Sequence, residues 1–268
     1  MGKPIPTFDQ LSPEYRRLWE TMAFDPGERS VVDGAAKRIL GFKSRYQIVA
    51  AKTGVPWWWI GIVHNMECGL NFGQHLHNGD SLKARTWQVP AGRPATGTPP
   101  FTWEESAEDA LRIKGLEKIR EWTIERVAYE FERFNGFGYR QYHPDNLTPY
   151  LWSKTNHNDG TGKYVADGKW SDTAPSEGQC GAMATLRALM DLDPSVRFGS
   201  TVAPPKPPMT PREKQTAGVA AGTAITVATG AAAKQSGAGW DHIAIGLAVV
   251  VVIAIVGAVV WSDRKSVV

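Results

Sequence analysis

Three consecutive tryptophans open the stretch Trp57-Trp58-Trp59-Ile60-Gly61-Ile62-Val63-His64-Asn65-Met66-Glu67, and this run constrains the fold more than any other part of the chain. Pro56 precedes it, and the residues that follow make a helix apolar on nearly every side. A helix of that kind belongs in the middle of a core, with other elements packed around it. Glu67 falls in its last turn, so its carboxyl must lie in the core or at the floor of a cleft cut into it. Desolvation disfavours the charged form, so such a group holds a proton towards neutrality and can donate it as a general acid.

The surrounding sequence supplies helices to pack against. Ser12-Pro13 places a cap and a first-turn proline before a helix running to about Phe24. Residues 31–41 and 44–53 are amphipathic. From Leu70 to about Arg93 the helical period fails. Asn78-Gly79-Asp80 is a turn signal there, and Arg85-Thr86-Trp87-Gln88-Val89 reads as a short strand before Pro90, which predicts a small β-hairpin or ribbon. Thr102 and Glu105 form a capping box that starts a helix to Lys114. Further helices are expected over about 117–134 and 178–191, with a loop at 135–139 between them. The expected fold class is α+β, mainly helical with a small β-hairpin.

Composition changes sharply after this domain. Residues 1–198 form the globular part, 199–215 a proline-rich linker, and 216–241 an Ala/Gly/Thr-rich spacer or weak membrane segment. Residues 242–261 are an uninterrupted apolar run without Lys, Arg, Asp or Glu, long enough for a transmembrane helix, and 262–268 form a short basic tail. Of the 30 basic and 27 acidic side chains, 6 and 3 lie beyond residue 200, leaving 24 of each before it. The front domain is therefore neutral and carries no nucleic-acid footprint. The two cysteines, Cys68 and Cys180, read as partly buried thiols rather than a disulfide framework. The N-terminus shows no secretory signal peptide.

His64 and Glu67 share a helix face, and the polar ribbon Asn71-Phe72-Gly73-Gln74-His75-Leu76-His77-Asn78-Gly79-Asp80 follows at once. A buried carboxyl ending a core helix, with a second carboxylate close by in sequence, is a common way to build a glycosidase cleft. Asp80 is the candidate second carboxylate, although an Asn-Gly-Asp turn also uses Asp without chemistry. A different class stays open. His64, Glu67, His75, His77 and Asp80 are residue types that bind zinc, which would make a peptidase or amidase, but no known zinc spacing is present. A membrane-anchored module that binds without catalysis is a third reading, and it leaves the carboxyl of the tryptophan-rich helix unexplained.

The stretch Ile60 to Cys68 resembles the catalytic helix of goose-type lysozymes and soluble lytic transglycosylases, with Cys68 where that family usually has Ser. Phe134-Asn135-Gly136-Phe137 is similar to, but departs from, the family's Tyr-Asn-Ala-Gly loop. The runs at 75–80, 89–94, 101–106, 149–153 and 162–168 look like those of phage endolysins, so the resemblance spans roughly residues 10–195. It implies a lysozyme-like domain that cuts peptidoglycan glycan strands without a cofactor, with Glu67 as general acid and Asp80 as possible helper. It also implies His75, Asn135, Gly136, Tyr139, Tyr150 and Trp152 as candidate substrate-binding residues, because aromatic faces stack sugar rings and amides bond N-acetyl groups. With the apolar run as anchor, the expected place of action is the host inner membrane, facing the wall.

Overall fold

The computed structural model describes residues 4–166, 168–176 and 178–200. The expected linker, spacer, membrane span and basic tail therefore lie outside the described residues, apart from the start of the linker. Among the described residues, no helix is long and apolar enough to cross a membrane.

The architecture is mainly helical α+β. Helices α1 (Phe8–Thr21), α2 (Arg29–Gly41), α3 (Lys43–Thr53) and α4 (Trp57–Cys68) come first. After a long irregular segment come α5 (Trp103–Ile113), a short 3-10 turn (Leu116–Lys118) and strand β1 (Glu121–Trp122). Then follow α6 (Ile124–Asn135), α7 (Gly138–Tyr142), α8 (Pro149–Trp152), strands β2 (Thr161–Ala166) and β3 (Lys169–Pro175), α9 (Ala182–Leu192) and β4 (Gly199–Ser200). Strands β2 and β3 form an antiparallel hairpin, and β1 pairs antiparallel with β4.

As the apolar run requires, α4 is the central helix. It packs against α2, α3 and α9 and buries all its residues from Trp57 to Asn65. Trp59 stacks flat on Phe131 of α6 at 5.1 Å and meets Trp122 and Phe134 on other sides. Gly61 lets α2 and α3 come close, since a Cβ there would lie 2.6 Å from Ile39 Cγ2 and 3.0 Å from Tyr46 Cε2. On another flank α1 lies against α6. There the buried Glu132 accepts a 2.6 Å hydrogen bond from the Tyr15 hydroxyl and pairs with Arg140 at 2.8 Å.

Four local expectations are corrected. Helix α1 begins at Thr7 rather than Ser12, because Thr7 and Gln10 form their own capping box five residues upstream and Pro13 is carried inside the helix. Residues 85–89 are not a strand, and the hairpin is built by 161–175 instead. The segment 117–134 holds a 3-10 turn and strand β1 before α6 starts at its Thr123 cap. The last helix starts at Ala182 rather than 178. The Thr102–Glu105 capping box is present as read, and both cysteines are buried free thiols.

Candidate active-site groove

Helix α4 ends in two successive left-handed residues, Gly69 at φ 56° and Leu70 at φ 66°. Glycine takes that conformation freely, whereas leucine is strained in it. The reversal throws the chain away from the core just beyond Glu67. Gln179, in the loop before α9, fastens the same helix end by donating from Nε2 to the carbonyls of Asn65 and Met66, each at 2.9 Å.

Glu67 is not sealed in the core, as its surface is exposed. Protein atoms nevertheless crowd its carboxyl, and this desolvation raises its pKa against two opposing influences, the Tyr150 hydrogen bond and the charge of Lys114. Open on one side and crowded on the others, the carboxyl adjoins a groove lined by its neighbours Met66 and Tyr150. The Tyr150 hydroxyl donates to Glu67 Oε1 at 2.8 Å, and its own pKa lies well above the usual phenol value through burial and the adjacent carboxyl.

Tyr150 belongs to an open groove of about 220 Å³, whose walls include Asn135, Tyr139, Lys163, Tyr164 and Gln179. Asn135 ends α6, and Gly136 follows as its cap at φ 102° and ψ 153°, a backbone that favours glycine. The hairpin closes the opposite wall. Tyr164 packs edge-on to Tyr139 at 5.7 Å, and Trp170 stacks on His143 at 3.5 Å. Gly162 is required in β2, since a Cβ there would lie 2.9 Å from Asn146 Nδ2 and 3.0 Å from the Trp170 ring.

Of the residues singled out from sequence, Asn135, Tyr139 and Tyr150 share this groove, with Gly136 adjoining it. Two others do not. Trp152 is fully buried and edge-on to His157, as part of the core. His75 is also fully buried, with Nε2 at 2.8 Å from the Ala84 carbonyl and Nδ1 at 2.8 Å from Ser106 Oγ. Because a carbonyl only accepts, Nε2 carries the proton and Nδ1 accepts from the serine.

Asp80 is 5% exposed and its carboxylate is fully occupied. It accepts from the Trp87 and Gln88 backbone amides at 2.9 and 3.0 Å, from Gln88 Nε2 at 2.8 Å and from Asn78 Nδ2 at 3.0 Å. Burial alone would raise its pKa, but these four donors outweigh it and the net shift is downward. Asp80 organises the loop after α4, and we assign it no chemical step.

The other two histidines of the zinc reading, His64 and His77, are also held by protein partners, His64 through Nδ1 only. His64 sits among Tyr46, Phe72 and Trp103 with Nδ1 at 3.1 Å from the Tyr46 hydroxyl, and burial pushes its pKa down to about 4. His77 donates from Nε2 to Asp109 at 2.8 Å, and burial pushes its pKa down to about 4 as well. Asp109 is also held by Arg93, which ties the loop to α5. Among the described residues, no group of three or more His, Cys, Asp or Glu side chains converges on a common point where a metal ion would fit.

Sequence reasoning missed Lys163, Tyr164 and Gln179. The first two fall in a run noticed only for its family likeness, and nothing in the sequence brings Gln179 to the end of α4. No protein-family model matches the chain, and no curated protein or solved structure aligns with it significantly.

Proposed function

We propose that this protein is a muramidase of the lysozyme-like superfamily, cutting the β-1,4 bond between N-acetylmuramic acid and N-acetylglucosamine in peptidoglycan. One observation carries the reading: a carboxyl with a raised pKa ends the central core helix and is hydrogen-bonded to a tyrosine of an aromatic-walled groove. Protonated Glu67 donates to the bridging oxygen as the C1–O bond breaks, and Tyr150 and Tyr164 line the groove where sugar rings would lie. Asp80, the other carboxylate considered for the chemistry, is spent on its loop. This favours chemistry with a single acid. Ionised Glu67 then takes the proton of the muramic C6 hydroxyl, whose oxygen closes on C1 to give a 1,6-anhydro sugar. The apolar run at 242–261 would hold the enzyme at the bacterial inner membrane, facing the wall.

Mass spectrometry of muropeptides released from purified peptidoglycan tests this directly. Anhydro products, one water lighter than hydrolysed ones, are expected from the wild type. Glu67→Gln should fold normally and release them at least about 100-fold more slowly, the usual scale of a general acid. Peptide-cleaved products, or a folded Glu67→Gln protein with full activity, would overturn the proposal.

A further inference from the structure

The hairpin that walls the groove contributes almost nothing to the core. Among the described residues of β2 and β3, only Gly162 is buried. A two-stranded hairpin has little stability of its own, so it needs a seat. That seat is α7. Tyr164 packs edge-on to His143 at 5.4 Å as well as to Tyr139. Trp170, besides stacking on His143, meets Tyr139 edge-on at 5.3 Å. Its Nε1 donates to Asp172 Oδ1 at 2.6 Å, which fixes the ring's orientation. Helix α7 is tied in turn to the body by Arg140, which pairs with Glu14 of α1 at 3.1 Å and with Glu132 of α6 at 2.8 Å.

Tyr142 ends this pinned helix. It is 58% exposed and stacks on no other ring among the described residues. Tyr139 and Tyr142 lie three residues apart, so they share a helix face, separated by about 4.5 Å along the axis. Tyr139 is a wall of the groove, and so is Tyr164, which packs against it. Burial raises the Tyr164 pKa, and the nearby Tyr142 hydroxyl adds to the rise. The exposed ring therefore stands just past the rim of the groove, on the hairpin side.

We propose that Tyr142 stacks a further sugar of the strand held in the groove, so that the protein selects long glycan strands over short ones. The proposal rests on the reading of the groove given above. A tyrosine offers its apolar face to the C–H face of a sugar ring and its hydroxyl to the polar substituents at the edge. A protein partner is the poorer occupant, because one exposed ring falls far short of the roughly 800 Å² that each side of a stable interface buries. Helix α7 is held on both sides, so the ring is in place before the strand arrives and little ordering opposes binding.

The test is equilibrium binding of peptide-free tetrasaccharide and octasaccharide strands, prepared from peptidoglycan, to the full chain carrying Glu67→Gln. The octasaccharide should bind more tightly. Adding Tyr142→Ala should shrink the ratio of the two affinities about 5-fold, mid-range for an aromatic contact. Tyr142→Phe keeps the ring and should keep the ratio. The position is exposed, so both variants should melt close to the parent protein. An unchanged ratio in Tyr142→Ala, or a ratio lost equally in Tyr142→Phe, would overturn the proposal. Equal affinity of the parent protein for both strands would overturn it as well. If neither strand bound, the reading of the groove would fall with it. Should Glu67→Gln cut as fast as the wild type, the general acid fails, while the ratio of initial rates on the two strands still judges Tyr142.

Discussion

The Tyr150 hydroxyl and Glu67 Oε1 stand 2.8 Å apart, joining residues separated by 83 positions in the chain. Crowding raises the Glu67 pKa, and this hydrogen bond opposes the rise by favouring the ionised carboxyl. In the proposed mechanism the reaction begins from protonated Glu67, so activity should be lost as pH rises through its pKa. In Tyr150→Phe the opposing influence is gone and the pKa climbs further. The alkaline limb of the pH–rate profile on peptidoglycan should therefore move to higher pH. An unmoved or lowered limb in a folded variant would show that Tyr150 does not tune the acid.

Asp80 makes a contrasting prediction, one of stability rather than chemistry. Asp80→Ala leaves the Trp87 and Gln88 amides without their acceptor. The loss should be about 3 kcal/mol, since these two part-buried hydrogen bonds go to a charged group, and such bonds are worth about 1.5–3 kcal/mol each. In a domain of this size that lowers the thermal midpoint by roughly 6–12 °C. The folded pKa of Asp80 is depressed, so its contribution is present above the ordinary carboxylate range and fades as pH falls through the lowered value. The gap in melting temperature between wild type and variant should narrow in acid. A gap that widens in acid would contradict this assignment.

The parts of the site carried by local sequence were legible. The apolar run from Trp57 announced a core helix, and Glu67 near its end was recognisable because the helical period fails from Leu70 onward. The Thr102 and Glu105 box marked the start of α5 because both halves of the motif lie within one turn. What stayed hidden was tertiary. His75 and Trp152 are residue types as suited to a groove as to a core, and only the packing of Ser106 and His157 against them decides. Tyr164 and Lys163 reach the groove because the hairpin folds over it, and Asp167-Gly168 was the hairpin signal that the reading of residues 85–89 displaced.

Gly181 couples that packing to the site. It caps α9 at φ −60°, so the backbone is unstrained, yet a Cβ there would lie 2.4 Å from the Leu151 carbonyl oxygen and 2.7 Å from the Ser153 nitrogen. Both are backbone atoms, which cannot swing aside. Gly181→Ala should cost about 1–3 kcal/mol through overpacking. It should also push on α8, which carries Tyr150 one residue before Leu151. The expected outcome is a lower melting temperature together with slower lysis at a temperature where the protein stays folded. A variant as stable as the wild type would mean that the close approach is not required.

The histidines yield the prediction that separates the two enzyme classes. A zinc peptidase needs several ligands converging on one point, with nitrogen lone pairs free to bind the metal. Here both ring nitrogens of His75 are engaged, by Ala84 and Ser106, and His77 is committed to Asp109. His64 is held by Tyr46 within an aromatic cage. Recruiting His75 or His77 would break buried hydrogen bonds, each worth about 1 kcal/mol net and more when a partner is stranded. The one unpartnered nitrogen of His64, Nε2, is buried without a carboxylate or thiolate cluster around it among the described residues. Cleavage of purified peptidoglycan should therefore proceed at the same rate after exhaustive dialysis against EDTA, and added zinc should not accelerate it. A rate that collapses in EDTA and returns with zinc would transfer the chemistry from Glu67 acting alone to a metal-dependent peptidase or amidase.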